Sequence, residues 1–408
     1  MPPETSSAPP VPYPGARIAL LGVLAVMTLV PVTLPVTVLR GLVQERFGVG
    51  EFLASVFMSI NMVGAVIAAP IAGALADRRG RRSDLIVAAL VLDALLLGAL
   101  ALPVPFEIFM GIRFLEGGAH IVALSLLLSL ASQARPEAQR GRVMGLVGGG
   151  IMLGVAIGAP LGGVLGREDP IRPLYAASAL VALAAGLAWR TLDETPIGAT
   201  RPSLRQVVAA LRAHPLVLAP LAFAFADRFT VGFYTTTFSF FLSRIHALPP
   251  PRIGLLMAAF MLPFALLSYP FGRLSERTSR VAMICGGSLV YGLFTAGVPW
   301  CPAPALPLLM LGLGVASAVM FVPSLLLTSE AAPESIRTTA MGAFNAAGSL
   351  GFIVGPAVGG LLSELVAERS DWLTGYRTAF GVAGASEIAC VALGLPFLIA
   401  LVRRARSG

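Results

Sequence analysis

Arg113, Glu116 and His120 stand three and four residues apart inside a long apolar stretch, residues 106–131. At 100° per residue they fall within about 60° of one another on one helix face. Ionisable groups in so apolar a setting are expensive, and they face a cavity or each other. A carboxylate, a guanidinium and an imidazole so arranged can take up and release a proton. The guanidinium stabilises the carboxylate beside it, so loading that proton needs a rearrangement or a substrate. The same residues can instead form a helix-packing ion pair, with His120 bonded to a neighbouring helix. A second face carries Asp227, Thr230, Tyr234 and Thr237 within about 80° of one another. Asp227 can be neutralised by Arg228, its neighbour in the chain, or sit near the inner surface. Asp93 and Glu387 are two further acids in apolar runs, each alone.

The elements that carry these residues read as membrane spans. The chain has 408 residues, 56% hydrophobic and 12% charged, with a mean hydropathy of +0.85. A soluble domain carries about 25% charged residues, so lipid is the better solvent here. A span needs about 20 mostly apolar residues. Twelve such runs occur, at residues 17–39, 51–76, 83–102, 106–131, 143–165, 172–189, 216–242, 253–274, 281–300, 304–328, 341–365 and 376–401. The expected fold is therefore an all-α membrane protein of twelve transmembrane helices. Residues 1–16 read as a disordered cytoplasmic tail without the marks of a signal peptide. A six-helix bundle, 17–189, is followed by a linker, 190–215, and a second six-helix bundle, 216–402, with a tail at 403–408. In the linker Leu204, Val207, Val208 and Leu211 recur at helical spacing beside Arg205 and Arg212, the pattern of an interfacial helix.

The two bundles repeat each other. Pro136-Glu137-x-x-Arg140-x-x-x-Met144-Gly145 returns as Pro333-Glu334-x-x-Arg337-x-x-x-Met341-Gly342. Gly154, Gly158, Gly162 and Gly163 return as Gly351, Gly355, Gly359 and Gly360, at the same offset of 197 residues. Parallel repeats of apolar helices are the mark of transporters whose halves rock around a site between them. The offset also separates the halves. Where the first has Arg113, Glu116 and His120, the second has Met310, Leu313 and Ser317.

Composition excludes several other functions. The charge of +8 comes from 29 basic residues, all arginine and clustered in short loops without an aromatic-interleaved stripe, which argues against nucleic acid. Cys285, Cys301 and Cys390 give no disulfide framework, and with His120, His214 and His246 no metal spacing. No phosphate-binding loop is present, so an ion gradient is the expected energy source and no cofactor is implied. No nucleophile–base pair or acid cluster marks an enzyme at a membrane surface. A non-transporting receptor on the same scaffold would need an added domain. With the N-terminus inside, 19 arginines fall on the cytoplasmic side and 8 on the other. That imbalance places both termini in the cytoplasm of a cell whose inner (plasma) membrane holds the chain.

Three motifs carry a family resemblance. The loop after the second span reads Gly73-Ala-Leu-Ala-Asp77-Arg78-Arg79-Gly80-Arg81-Arg82, with a degraded copy at Gly272, Glu276, Arg277 and Arg280. Gly73 permits close helix approach, and Asp77 can cap the next helix or pair with an arginine across the mouth of the protein. This loop resembles the G-x-x-x-D-R-x-G-R-R pattern of the major facilitator superfamily. Arg113, followed four residues later by Gly117, is similar to the family's helix 4 motif, although Glu116 replaces a glutamine-like residue. Gly154-x-x-x-Gly158-Ala159-Pro160-Leu161-Gly162-Gly163 resembles the exporter and antiporter motif of helix 5 with its proline one place late. Gly355-Pro356-x-x-Gly359 has the proline in register. Pro31 and Pro35 resemble a feature of the family's drug–proton antiporters.

The resemblance implies alternating access gated by the Gly73–Arg81 loop, hinged at the glycine–proline motifs. It implies proton coupling at Arg113, with Glu116, His120 and Asp227 as further candidates. Helices 1, 4, 7 and 10 would line the cavity, which lets Asp227 face the Arg113 stripe and gives Arg113, Glu116, Thr230, Tyr234 and Thr237 as substrate contacts. The expected activity is export of a small apolar or amphipathic compound by proton antiport, from a monomer in the bilayer. The alternative is proton-coupled uptake or exchange of a metabolite, such as an organic anion drawn by Arg113 and Arg228.

Overall fold

The apolar runs form helices because a backbone in lipid must satisfy its own hydrogen bonds. The computed structural model describes residues 15–79, 82–132, 137–192, 212, 214–332 and 336–407. Among them the helices are α1 (Gly15–Thr33), α2 (Glu51–Arg79), α3 (Arg82–Ala99), α4 (Phe106–Ser132), α5 (Glu137–Leu165) and α6 (Arg172–Thr191). The second half follows with α7 (Leu218–Thr235), α8 (Thr237–Arg244), α9 (Pro250–Leu274), α10 (Arg280–Gly297), α11 (Leu306–Ala331), α12 (Arg337–Ala367) and α13 (Trp372–Ser407). Eleven candidate spans are long and apolar enough to cross a membrane. The 18-residue α3, packed against α4 and α6, makes the twelfth. The result is two sets of six helices.

Two spans depart from the expected continuous helix. The first ends at Thr33, and Pro35 throws the next residues into a 3-10 turn, Leu34–Thr37. The seventh breaks at Thr236, which has φ −131° and ψ −75°. There the hydroxyls of Thr235 and Thr236 both donate to the Gly232 carbonyl, at 2.8 and 3.2 Å. Threonine hydroxyls that compete for a helix carbonyl bend or end the helix. The expected tail 1–16 and linker 190–215 fall largely outside the described residues, while α13 carries the helix on through 403–407.

The repeated glycines share one packing logic. A Cβ on Gly154, Gly158 or Gly162 would run into the backbone of α1 or of the turn after it, at Val26, Val30 and Leu34. In the other half, Gly351 and Gly355 press on the α7 backbone at Phe225 and Phe229, and Gly359 meets Thr237 and Phe233. The glycine next in each stripe crosses between halves. Gly163 abuts the start of α9 at Pro250, and Gly360 abuts α2 at Glu51 and Ser55. Gly254 meets Ala159 and Pro160 in the same seam. Bare glycine faces let helix backbones touch, which drives helix association in lipid. Gly355→Leu is expected to weaken the fold by on the order of 1–3 kcal/mol, the usual cost of overpacking. The purified protein's thermal midpoint checks this, with Gly342→Ala, whose Cβ would meet open space, as the unchanged control.

The seam is tight at one end only. Ser55 on α2 is fully buried against α12. Val66, three turns further along and within about 20° of the same face, is 41% exposed. On α9, Gly254 touches α5, whereas Tyr269, within about 60° of that face, is 73% exposed. The halves close at the end opposite Gly15 and Ser407 and part toward the end where those residues lie.

Candidate functional site

The first polar cluster grows from a close approach of α2 and α4. Gly117 packs on the Asn61 carbonyl and Gly64 on that of Phe114, so no side chain separates the two backbones. Asn61 is thereby brought to Glu116, and its amide donates to Oε2 at 2.5 Å. Arg113 donates to the same oxygen at 2.8 Å, and its guanidinium lies 4.6 Å from the Phe57 ring centroid. His120 Nδ1 lies 3.3 Å from Oδ2 of Asp93 on α3. Arg113, Glu116, His120 and Asp93 are all buried. Two polar atoms have no hydrogen-bond partner, Asp93 Oδ1 and Arg113 Nε. The stripe read on α4 thus closes into a four-residue cluster, and Asp93 is a member of it rather than a lone acid.

Ligand atoms of Asp93, Glu116 and His120 lie within 4.8 Å of one another, a set that could hold a cation. Arg113 and Asn61 already occupy Glu116 Oε2. A guanidinium there repels a dication. With His120 neutral the cluster has two carboxylates and one guanidinium. A single proton on the imidazole balances it.

Asp227 joins the second half rather than the Arg113 stripe. Its Oδ2 lies 3.3 Å from Arg228 NH1, yet both carboxylate oxygens lack an aligned hydrogen bond. Glu387 on α13, the other acid read as alone, accepts from Thr230 at 3.3 Å. Thr230, Tyr234 and Thr237 are fully enclosed by protein in this conformation. Tyr234 sits among Phe238, Phe260, Tyr291 and Phe380, with its hydroxyl 3.0 Å from that of Thr295. Thr237 packs at Gly359. Arg228 is 19% exposed at its side chain and lies over the rings of Phe321 and Phe352.

A third group joins the halves at their closed end, and nothing in the motifs pointed to it. Glu51, the fully buried first residue of α2, accepts from Arg244 Nε on α8 at 2.9 Å and from the Tyr376 hydroxyl on α13 at 2.6 Å. Arg244 also stacks on Trp372, 3.9 Å from the ring centroid, and reaches Gln44 at 3.4 Å. One residue on, the Phe52 amide donates to Glu364 of α12 at 2.8 Å. The available signal was an acid at a helix start, which reads as an ordinary complement to the helix dipole.

Gly73, Asp77 and Arg78 fall on the last turns of α2, where only the helical backbone is described, and Gly80 and Arg81 lie outside the described residues. In the second-half copy, Arg280 is paired with Glu330 at the end of α11. Grooves of about 450 Å³ between α3 and α6, and of about 420 Å³ between α10 and α11, include none of the candidate site residues.

Two bundles with parallel glycine stripes, a seam open at one end and buried charges within each bundle match known proteins in fold. The sequence profile of the Major Facilitator Superfamily matches residues 18–249 and 220–407. A bacterial homologue of the human lysosomal transporter Spinster, solved in an inward-facing and occupied conformation, superposes with a TM-score of 0.80 at 14% identity. The alignment covers 97% of this chain and 98% of that one. The nucleoside transporter NupG gives 0.76 at 15% identity over 93% and 98% of the two chains. A D-xylose–proton symporter gives 0.73 at 15% identity over 93% and 96%. No curated protein sequence matches the chain. The chain belongs to the major facilitator superfamily and is a multi-pass membrane transporter.

Proposed function

We propose that this transporter moves a small metabolite across the inner membrane by alternating access, driven by protons taken up at the cluster that Glu116 and His120 form with Arg113 and Asp93. One observation carries the reading. Four ionisable side chains from two helices, two carboxyl groups with one guanidinium and one imidazole, are sealed together in the apolar interior. Such a group is costly unless it gains and loses a proton usefully. Both termini lie in the cytoplasm on this reading, so the splayed seam faces inward and the Glu51–Arg244–Tyr376 contact closes the outside.

Metabolite uptake or exchange accounts for more than drug export does. The glycine face that resembles the exporter motif is occupied in packing α5 on α1, which needs no directional role. NupG is described as a nucleoside transporter and the other neighbour as a D-xylose–proton symporter, which favours a metabolite here. Arg113 is enclosed and bonded to Glu116, so it offers no anion site in this conformation. Arg228, partly exposed, is the charge a substrate would meet first.

Ligand-induced thermal stabilisation of the purified protein separates the two substrate classes. Binding adds stability as the logarithm of ligand concentration over Kd. A panel of nucleosides, sugars and carboxylates should contain a stabilising member whose effect is lost in Arg228→Gln. Stabilisation by lipophilic cations alone would overturn the metabolite reading.

A further inference from the structure

The second half contains a buried acid that the coupling cluster does not use. Glu387 lies midway along the Trp372–Leu401 span and is fully enclosed. Its enclosure has a specific cause. Gly292 on α10 and Gly384 on α13 press on each other's carbonyls, one turn from Glu387, and close that helix pair. Glu387 Oε1 accepts from Thr230, while Oε2 has no partner and Ser288 lies beside the carboxyl. The Tyr291 hydroxyl, also fully buried and without a partner, lies within the fields of both Glu387 and Asp227.

The charges facing this pocket do not balance. From α7 come Asp227, Arg228 and Tyr234; from α10 come Tyr291 and Cys285; on α13 itself Cys390 is near. Among the described residues, α11 and α12 carry charge only toward their ends, at Glu330, Arg337 and Glu364. Two carboxylates therefore share one guanidinium, and Arg228 lies against Asp227. An uncompensated carboxylate in such an interior costs several kcal/mol, and a carboxyl group relieves that by taking up a proton.

We propose that Glu387 is a proton-binding site of the second half, separate from the Glu116–His120–Asp93 cluster. Asp227 remains the charged partner of Arg228, and Glu387 holds the proton. The neutral carboxyl removes the uncompensated charge at Oε2, which no donor satisfies. Ser288, Tyr291 and Thr295 recur along one side of α10 opposite Thr230 and Tyr234 of α7, with Tyr234 bonded to Thr295. These hydroxyls line the α7–α10 contact from Glu387 toward the closed end.

The use of this proton in transport rests on the proton-coupled reading, but its presence does not, and its test needs no substrate. Infrared difference spectra of the purified protein in lipid nanodiscs, recorded across a pH titration, report carboxylic-acid C=O stretches. At neutral pH a protonated-carboxyl band is expected in the native protein, absent in Glu387→Gln and shifted in Thr230→Val by loss of its hydrogen bond. The same band should persist in Glu116→Gln, which separates failure here from failure of the coupling cluster. A spectrum unchanged by Glu387→Gln, with no shift in Thr230→Val, would overturn the proposal. Loss of the band on replacing choline chloride with sodium chloride would also overturn it, in favour of a sodium site.

Discussion

Glu116→Gln is expected to abolish proton-driven accumulation of substrate while substrate exchange across the same membrane continues. Glutamine retains an oxygen for Asn61 and Arg113 but cannot carry a proton between the two faces of the protein. The loss should be tenfold or more in accumulation, on the order of the 1.4 kcal/mol per decade that separates a working gradient from an idle one. Arg113 is fully buried, and Glu116→Gln breaks its ion pair, a change that costs about 3–5 kcal/mol in comparable sites. Accumulation is therefore normalised to folded protein, with exposed Glu107→Gln at the start of α4 as a control that should behave as native. Retained accumulation in Glu116→Gln would remove that residue from the coupling step.

The second large effect is expected at the closed end of the seam. Arg244→Gln leaves Glu51 buried with only the Tyr376 hydroxyl to stabilise it. Breaking a buried pair costs about 3–5 kcal/mol. Here that cost falls on the conformation in which the pair is made, so the population shifts toward the one in which the seam opens. Ser55→Cys, placed where α2 meets Gly360, reports the shift in a background with Cys285, Cys301 and Cys390 replaced by serine. Its labelling by an impermeant maleimide from outside should rise by an order of magnitude or more with Arg244→Gln. An unchanged rate would mean that glycine packing alone holds that end shut.

The scaffold was largely readable in the sequence because lipid leaves the backbone few choices. Twelve apolar runs became twelve spans, and the glycines spaced by 197 residues proved to do the same work twice, against α1 in one half and α7 in the other. The breaks were harder to see. Thr235 and Thr236 look like ordinary polar positions until their hydroxyls are found on one carbonyl, and Pro35 could as easily have kinked α1 as ended it. The partners of buried acids were harder still. Helical spacing aligned Arg113, Glu116 and His120 because they share one helix, but Asp93 meets His120 from α3, and Glu387 meets Thr230 across 157 residues. Glu51, Arg244 and Tyr376 come from three helices, and no local periodicity links them. Periodicity places residues on faces, and only packing decides which faces meet.

Proton coupling is the central claim, and flux through the reconstituted protein tests it most directly. Proteoliposomes carrying the stabilising metabolite outside are given a pH gradient, acidic outside, while internal pH and internal substrate are followed together. The account predicts accumulation above the external concentration with matching inward proton flux, and collapse of both on adding a protonophore. Equilibration to the same level with and without the gradient, unaccompanied by proton movement, would contradict it.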